Sequence, residues 1–184
     1  MSKLRGFIAL ETKIPKKISN FQNEIIKTGA NIKLVKPENM HLTIKFLGET
    51  EELQINNIEE IIKKAIIGVK PFKIKLKGTG AFPNHDYIKI IWIGIENGEI
   101  IKTIAEKINN DLSKIGFKKD KKNFSPHLTI GRVKTAKNKE KIIKILDKNK
   151  DIIFSEQEIN TIKLIKSKLT PKGPIYTTLK ELKF

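Results

Sequence analysis

Apolar and polar positions alternate along this chain in two rhythms, and the rhythms mark out its elements. Residues 5–10 form a short apolar run that reads as a strand. Pro15 suits a helix's first turn, where its missing N–H would go unpaired anyway. Ile18, Phe21, Ile25 and Ile26 then return at helical spacing up to Gly29. Residues 32–35 are a short apolar run before Pro37, and 40–47 alternate as a strand stopped by Gly48. Glu51 and Glu52 suit the positive end of a helix, which Leu53, Ile55, Ile58, Ile61, Ile62 and Ala65 continue. Residues 72–77 alternate strictly between apolar side chains and lysine, a strand with one wet face. Residues 78–86, with Gly, Pro, Asn and Asp, read as a loop, and 87–95 as a largely buried strand.

The second half repeats this grammar. A helix is predicted over 99–115, ended by Gly116, and a basic loop over 118–122. A strand over 124–133, a helix over 137–146 and strands over 152–154 and 159–167 follow. A turn at Gly173-Pro174 leads to a last short strand over 176–179. Strand, helix, strand, helix, strand therefore occurs twice. The repeat carries a tetrapeptide with it: His41-Leu42-Thr43-Ile44 returns as His127-Leu128-Thr129-Ile130, 86 positions on (41 to 127). We read an internal duplication, an α+β chain of two pseudo-symmetric lobes with the two His-Thr strands facing each other across a cleft.

Residues i and i+2 of a strand share a face. His41 then projects with Thr43, and His127 with Thr129, while Leu42, Ile44 and Phe46 are expected to face the core. Two imidazoles and two hydroxyls in one pocket can run phosphoester chemistry by paired acid and base, with no metal required. Two histidines without paired carboxylates or thiols are a poor metal-ligand set. Arg132 could add a charged fork to a phosphate. It lies five residues from His127, so an unbroken strand would turn it away, and a bulge at Gly131 is needed to re-aim it. His85 reads as an exposed turn residue and Trp92 as core. Phe82 and Tyr87 are each open to two readings, base stacking or packing. Lys118, Lys119, Lys121 and Lys122 could touch RNA phosphates or form a solvated charge run.

Composition narrows the classes. The 184 residues suit one domain over 1–184, or two small lobes sharing a core, and 39% are apolar. No apolar run approaches the roughly 18 residues of a membrane span, and the first residues lack a signal-peptide pattern. No cysteine is present, which excludes disulfides, thiolate zinc sites and cysteine nucleophiles and fits a cytoplasmic location. The net charge of +17 attracts polyanions, RNA or DNA first. Enrichment in Lys, Ile and Glu is equally the mark of a hot-adapted or AT-rich source. No Gly-rich Lys-Ser/Thr loop suggests ATP use.

These residues resemble the 2H phosphoesterases, and within them the RNA 2′,3′-cyclic phosphodiesterases also described as 2′-5′ RNA ligases. The resemblance covers nearly the whole chain. It rests on Arg5-Gly-Phe-Ile-Ala-Leu10, Met40-His-Leu-Thr-Ile-Lys-Phe-Leu-Gly48, Phe82-Pro83 with Trp92-Ile-Gly94, and Phe124-Ser-Pro-His-Leu-Thr-Ile-Gly-Arg132. The segment from Lys166-Ser167 through Gly173-Pro174 to Tyr176 completes it. It implies two lobes of antiparallel sheet flanking a central cleft, helices on the outside. It implies metal-independent, cofactor-free hydrolysis of a terminal 2′,3′-cyclic phosphate on RNA, tRNA fragments included, to a 2′-phosphomonoester. His41 is then the proton donor and His127 the acceptor, with Thr43, Thr129 and Arg132 binding substrate. A cytoplasmic monomer without membrane partners is expected. The alternatives are 2′-5′ joining of tRNA halves, action on a small cyclic phosphate, or a non-catalytic RNA-binding module.

Overall fold

A computed structural model of the chain describes residues 2–121, 123–171 and 173–184. The elements follow in the order β1 (Lys3–Leu10), α1 (Lys16–Lys27), β2 (Ile32–Leu34), β3 (Leu42–Glu51), α2 (Ile55–Ala65), β4 (Phe72–Pro83) and β5 (Ile88–Glu96). They continue with α3 (Glu99–Lys114), β6 (His127–Val133), α4 (Lys139–Lys148), β7 (Ile153–Ile159), β8 (Thr161–Thr170) and β9 (Gly173–Lys183). The strands form two sheets, ordered β3-β1-β8-β9 and β2-β6-β5-β4-β7. Every strand pairing among the described residues is antiparallel. The α+β class and the paired antiparallel sheets are as the sequence predicts.

The repeat is present, and its two units are interleaved between the two sheets. The unit β1-α1-β3-α2-β4 corresponds to β5-α3-β6-α4-β8. In the sheets, β3-β1-β8 corresponds to β6-β5-β4. Each unit therefore lends its last strand to the sheet of the other. The reason is geometric: β4 and β8 find their partners in β5 and β1, the opening strands of the opposite unit.

One continuous core joins the sheets and helices. It takes Ile8, Leu10 and Leu42 from the first sheet and Ile91, Ile93 and Leu128 from the second. Ile18, Ile62, Ile108 and Leu146, one from each helix, complete it, all at most 1% exposed. The helical periodicity in the sequence is this buried stripe. A smaller cluster of Phe7, Ala9 and Ile165, with Tyr176 against it, covers the other face of the first sheet.

Several predictions need correction. Residues 78–83 are not loop but the continuation of β4. Their glycines serve a bend and a close approach. Gly78 has φ +71° where the ladder to β5 is irregular, and a Cβ on Gly80 would lie 2.3 Å from the Trp92 indole. Trp92 is accordingly half-buried against Phe82, ring centroids 5.3 Å apart, rather than fully core. The last strand runs Gly173–Lys183 rather than 176–179. It lies at a sheet edge, where charged side chains replace the apolar alternation that pattern reading needs.

Candidate active site

Both His-Thr motifs end in a β-bulge at the same place. In β3, Thr43 pairs with Ala9 of β1 and Lys45 with Ile8, so Ile44 is the extra residue. In β6, Thr129 pairs with Trp92 of β5 and Gly131 with Ile91, so Ile130 is the extra residue. One extra residue reverses the alternation beyond it. Lys45 and Gly131 turn inward and are buried, while Phe46 and Arg132 swing onto the face of Thr43 and Thr129. These two residues are themselves one repeat apart (46 to 132). The bulge that Arg132 required is therefore present, beside Gly131. The expectation that Phe46 faces the core is wrong for the same reason: it is 68% exposed.

His41 immediately precedes β3, and His127 opens β6. Each imidazole is half-buried and held by aromatic rings. His41 lies against Phe7 and Tyr176, at centroid distances of 5.7 and 5.2 Å. His127 meets Phe82 edge-on at 5.0 Å, which assigns Phe82 to packing. His127 Nδ1 is 2.8 Å from the Ser125 carbonyl. A carbonyl only accepts, so Nδ1 carries the proton and the neutral ring presents a free Nε2 lone pair.

The two motifs belong to different sheets, yet β3 and β6 come into contact. The Arg132 charge reaches both His127 and Tyr176, and Tyr176 in turn packs on His41. Thr43 and Thr129 are half-buried on the same faces as their histidines. The β3–β6 contact, with Arg132 and Tyr176, thus links the strand of His41 and Thr43 to that of His127, Thr129 and Arg132.

Burial lowers both imidazoles from the ordinary 6.5. At His127 the Ser125 hydrogen bond opposes this and the Arg132 charge adds to it. At His41 the Lys163 ammonium adds to the lowering and Glu11 opposes it. Lys163 is fixed by Glu11 Oε1 at 2.7 Å and Glu181 Oε2 at 3.2 Å. Burial raises the Tyr176 phenol, against the Arg132 charge, and so keeps it protonated at neutral pH.

Several residues of the site escape the motif reading. Tyr176 and Lys163 come from the far end of the chain, and only sheet pairing places them beside His41. Lys33 of β2 pairs with Arg132 and adds a second cation on its rung. Phe46 carried a signal, its repeat offset to Arg132. Lys45 is 3% exposed and donates to Asn109 Oδ1 at 2.8 Å and the Lys118 carbonyl at 2.7 Å. Its third partner is Asp120 Oδ2 at 2.7 Å. This clamp ties the strand of the first motif to the basic loop before the second. Lys118, Lys119 and Lys121 stay exposed; Lys122 lies outside the described residues. His85 is exposed, as expected. Among the described residues, no three His, Asp or Glu side chains converge as metal ligands would.

A fold of two antiparallel sheets with duplicated His-x-Thr strands is that of the 2H phosphoesterases. The chain belongs to this family: residues 7–184 match the family model described as the AKAP7 2′5′ RNA ligase-like domain. A relative from Methanocaldococcus jannaschii named RNA 2′,3′-cyclic phosphodiesterase is 44% identical, over 97% of this chain and 99% of its own length. One from Archaeoglobus fulgidus with the same name is 39% identical, over 96% and 98%. Among solved structures, a Thermus thermophilus protein superposes with TM-score 0.80 at 25% identity, over 98% of this chain and 97% of its own. Escherichia coli LigT, solved in complex with 3′-AMP, shares the fold with TM-score 0.73 at 19% identity, over 99% and 98%. Among the described residues, no helix is long and apolar enough to cross a membrane.

Proposed function

We propose that this protein hydrolyses the terminal 2′,3′-cyclic phosphate of RNA to a 2′-phosphomonoester, using His127 as base and His41 as acid. The observation that carries the reading is that the strands of the two His-x-Thr motifs, β3 and β6, come into contact, with a bulge that turns Arg132 onto the face of the second motif. The names of the relatives at 44% and 39% identity supply the reaction class.

In this mechanism His127 Nε2 takes a proton from water as the water oxygen attacks phosphorus. The bond from phosphorus to the 3′ oxygen breaks, and His41 gives that oxygen a proton. The products are a 2′-phosphate and a free 3′-hydroxyl. The five-membered ring is strained, so no covalent intermediate and no metal is needed. Each proton transfer contributes roughly 10²–10⁴-fold. The Thr43 and Thr129 hydroxyls donate to the non-bridging oxygens, and Arg132 meets the developing charge with a guanidinium fork. The lowered imidazoles fit this division: His127 is free to accept at neutral pH, and His41, once protonated beside the phosphate anion, gives its proton up readily.

The test is a short RNA with a cyclic phosphate end, incubated in EDTA, with products separated by phosphate position. A 2′-phosphate is expected from the wild type. His41→Ala and His127→Ala should each lower kcat by at least about 100-fold with the circular dichroism spectrum unchanged. Full activity in either variant removes the acid–base pair, and loss of activity on chelation alone removes the metal-free mechanism.

The family model's description favours one second reading, 2′-5′ joining of RNA ends. Joining is the same displacement with a 5′-hydroxyl in place of water: His127 takes that hydroxyl's proton, the bond from phosphorus to the 3′ oxygen breaks, and His41 protonates the 3′ oxygen. Mixing cyclic-phosphate and 5′-hydroxyl tRNA halves and mapping the junction distinguishes it. Absence of a 2′-5′ junction at high fragment concentration leaves hydrolysis alone.

A further inference from the structure

The cleft does not end at Arg132. On the same face of the second sheet, Ile90 pairs with Arg132, and beyond them the surface opens into a pocket of about 400 Å³. Residues 86–90 and 132–136, with Lys139, line it. Ile88 and Ile90 supply apolar lining, and the cationic side chains of Arg132, Lys89, Lys134 and Lys139 line it against one acid, Asp86. Tyr87 stands at its side, 61% exposed.

That tyrosine is held in place. Its backbone N–H donates to Asn84 Oδ1 at 2.9 Å, and the Lys89 ammonium sits 4.8 Å from its ring centroid. The turn is tied across the pocket as well, where Lys139 Nζ donates to the Asp86 carbonyl at 3.1 Å. A large ring left in water on a braced turn, beside apolar residues and four cations, fits a nucleotide: a flat base for the ring and a phosphate for the ammonium groups. The volume falls within the range of small-molecule pockets, about 300–1,000 Å³.

We propose that this pocket is the subsite for the nucleotide preceding the cyclic-phosphate nucleotide, with its base on Tyr87 and its phosphodiester near Arg132 and Lys134. The inference rests on the phosphodiesterase reading above. A strand ending in a cyclic phosphate has all its other nucleotides on the 5′ side, so a pocket that shares Arg132 with the proposed catalytic site receives the 5′ neighbour. Arg132, reaching His127 on one side and lining the pocket on the other, marks the junction. The subsite makes the enzyme an RNA-end enzyme rather than one for small cyclic nucleotides.

The experiment compares kcat/KM for 2′,3′-cyclic AMP with that for a tetranucleotide bearing the same end, in the wild type, Tyr87→Ala, Tyr87→Phe and Lys134→Ala. The wild type should favour the tetranucleotide. Tyr87→Ala should lower kcat/KM for the tetranucleotide about fivefold or more, chiefly through KM, and leave cyclic AMP hydrolysis unchanged. Tyr87→Phe should restore it, since the ring and not the hydroxyl stacks. Lys134→Ala should weaken the tetranucleotide's salt dependence by about one phosphate contact. Equal loss on both substrates in Tyr87→Ala, or no loss on either, overturns the subsite while the phosphodiesterase reading stands. No turnover of either substrate by the wild type overturns both.

Discussion

The pH dependence expected of the reaction follows from the surroundings of His41 and His127. Under the proposed roles, kcat/KM requires His127 neutral and His41 protonated in the free enzyme. Burial, the largest influence at each, lowers both imidazoles from 6.5, so the optimum is expected on the acid side of that value. Lys163 contributes to the lowering at His41, and Glu11 opposes it. Lys163→Met removes the cation and leaves Glu11, so His41 should hold its proton to higher pH. The alkaline limb of the kcat/KM profile should then move upward, with the acid limb in place. An alkaline limb that does not move would show that another group is the acid.

At the scale of single elements, the bulges at Ile44 and Ile130 do most to build the site. Strict alternation would send Arg132 and Phe46 away from their own motifs; one extra residue in each strand returns them. Inward rotation has a consequence in β3, where it buries the Lys45 ammonium under the loop at 118–121. Lys45→Ala should destabilise the protein by about 1–3 kcal/mol in urea denaturation, because the Lys118 carbonyl loses its buried donor. Amide exchange across 118–121 should quicken in the same variant. Unchanged exchange there would mean that Asn109, which donates to the Asp120 carbonyl at 3.1 Å and accepts from its N–H at 3.0 Å, holds the loop alone.

For the whole molecule, the exchange of β4 and β8 between the two units decides how it folds. Neither sheet can be completed by one half of the chain. We propose that residues 1–184 form one cooperative domain. Fragments 1–86 and 87–184, divided in the exposed 84–87 turn, should each lack sheet structure by circular dichroism and regain it on mixing. Independent folding of either fragment would contradict a single cooperative unit. The same exchange brings β3 and β6 into contact and so unites two copies of a motif that are far apart in the chain.

The sequence by itself determined the elements and the candidate site residues. Helical and alternating periodicity are local properties, so α1 to α4 and the two His-Thr strands were legible, as was the duplication that carries them. His41, Thr43, His127 and Thr129 followed because a tetrapeptide repeated within a repeated grammar is itself a local signal. What the tertiary structure decided depends on partners. A bulge exists only relative to a neighbouring strand, so the directions of Phe46, Lys45 and Arg132 could be required but not assigned from one strand. Gly78 and Gly80 looked like loop because the ring they make room for, Trp92, lies across a pairing the sequence does not display. Tyr176, Lys163 and Lys33 reach the cleft only through pairings across the sheets. Physical proximity in this protein is set by long-range hydrogen-bonded ladders, and those are fixed by the packing of the whole chain.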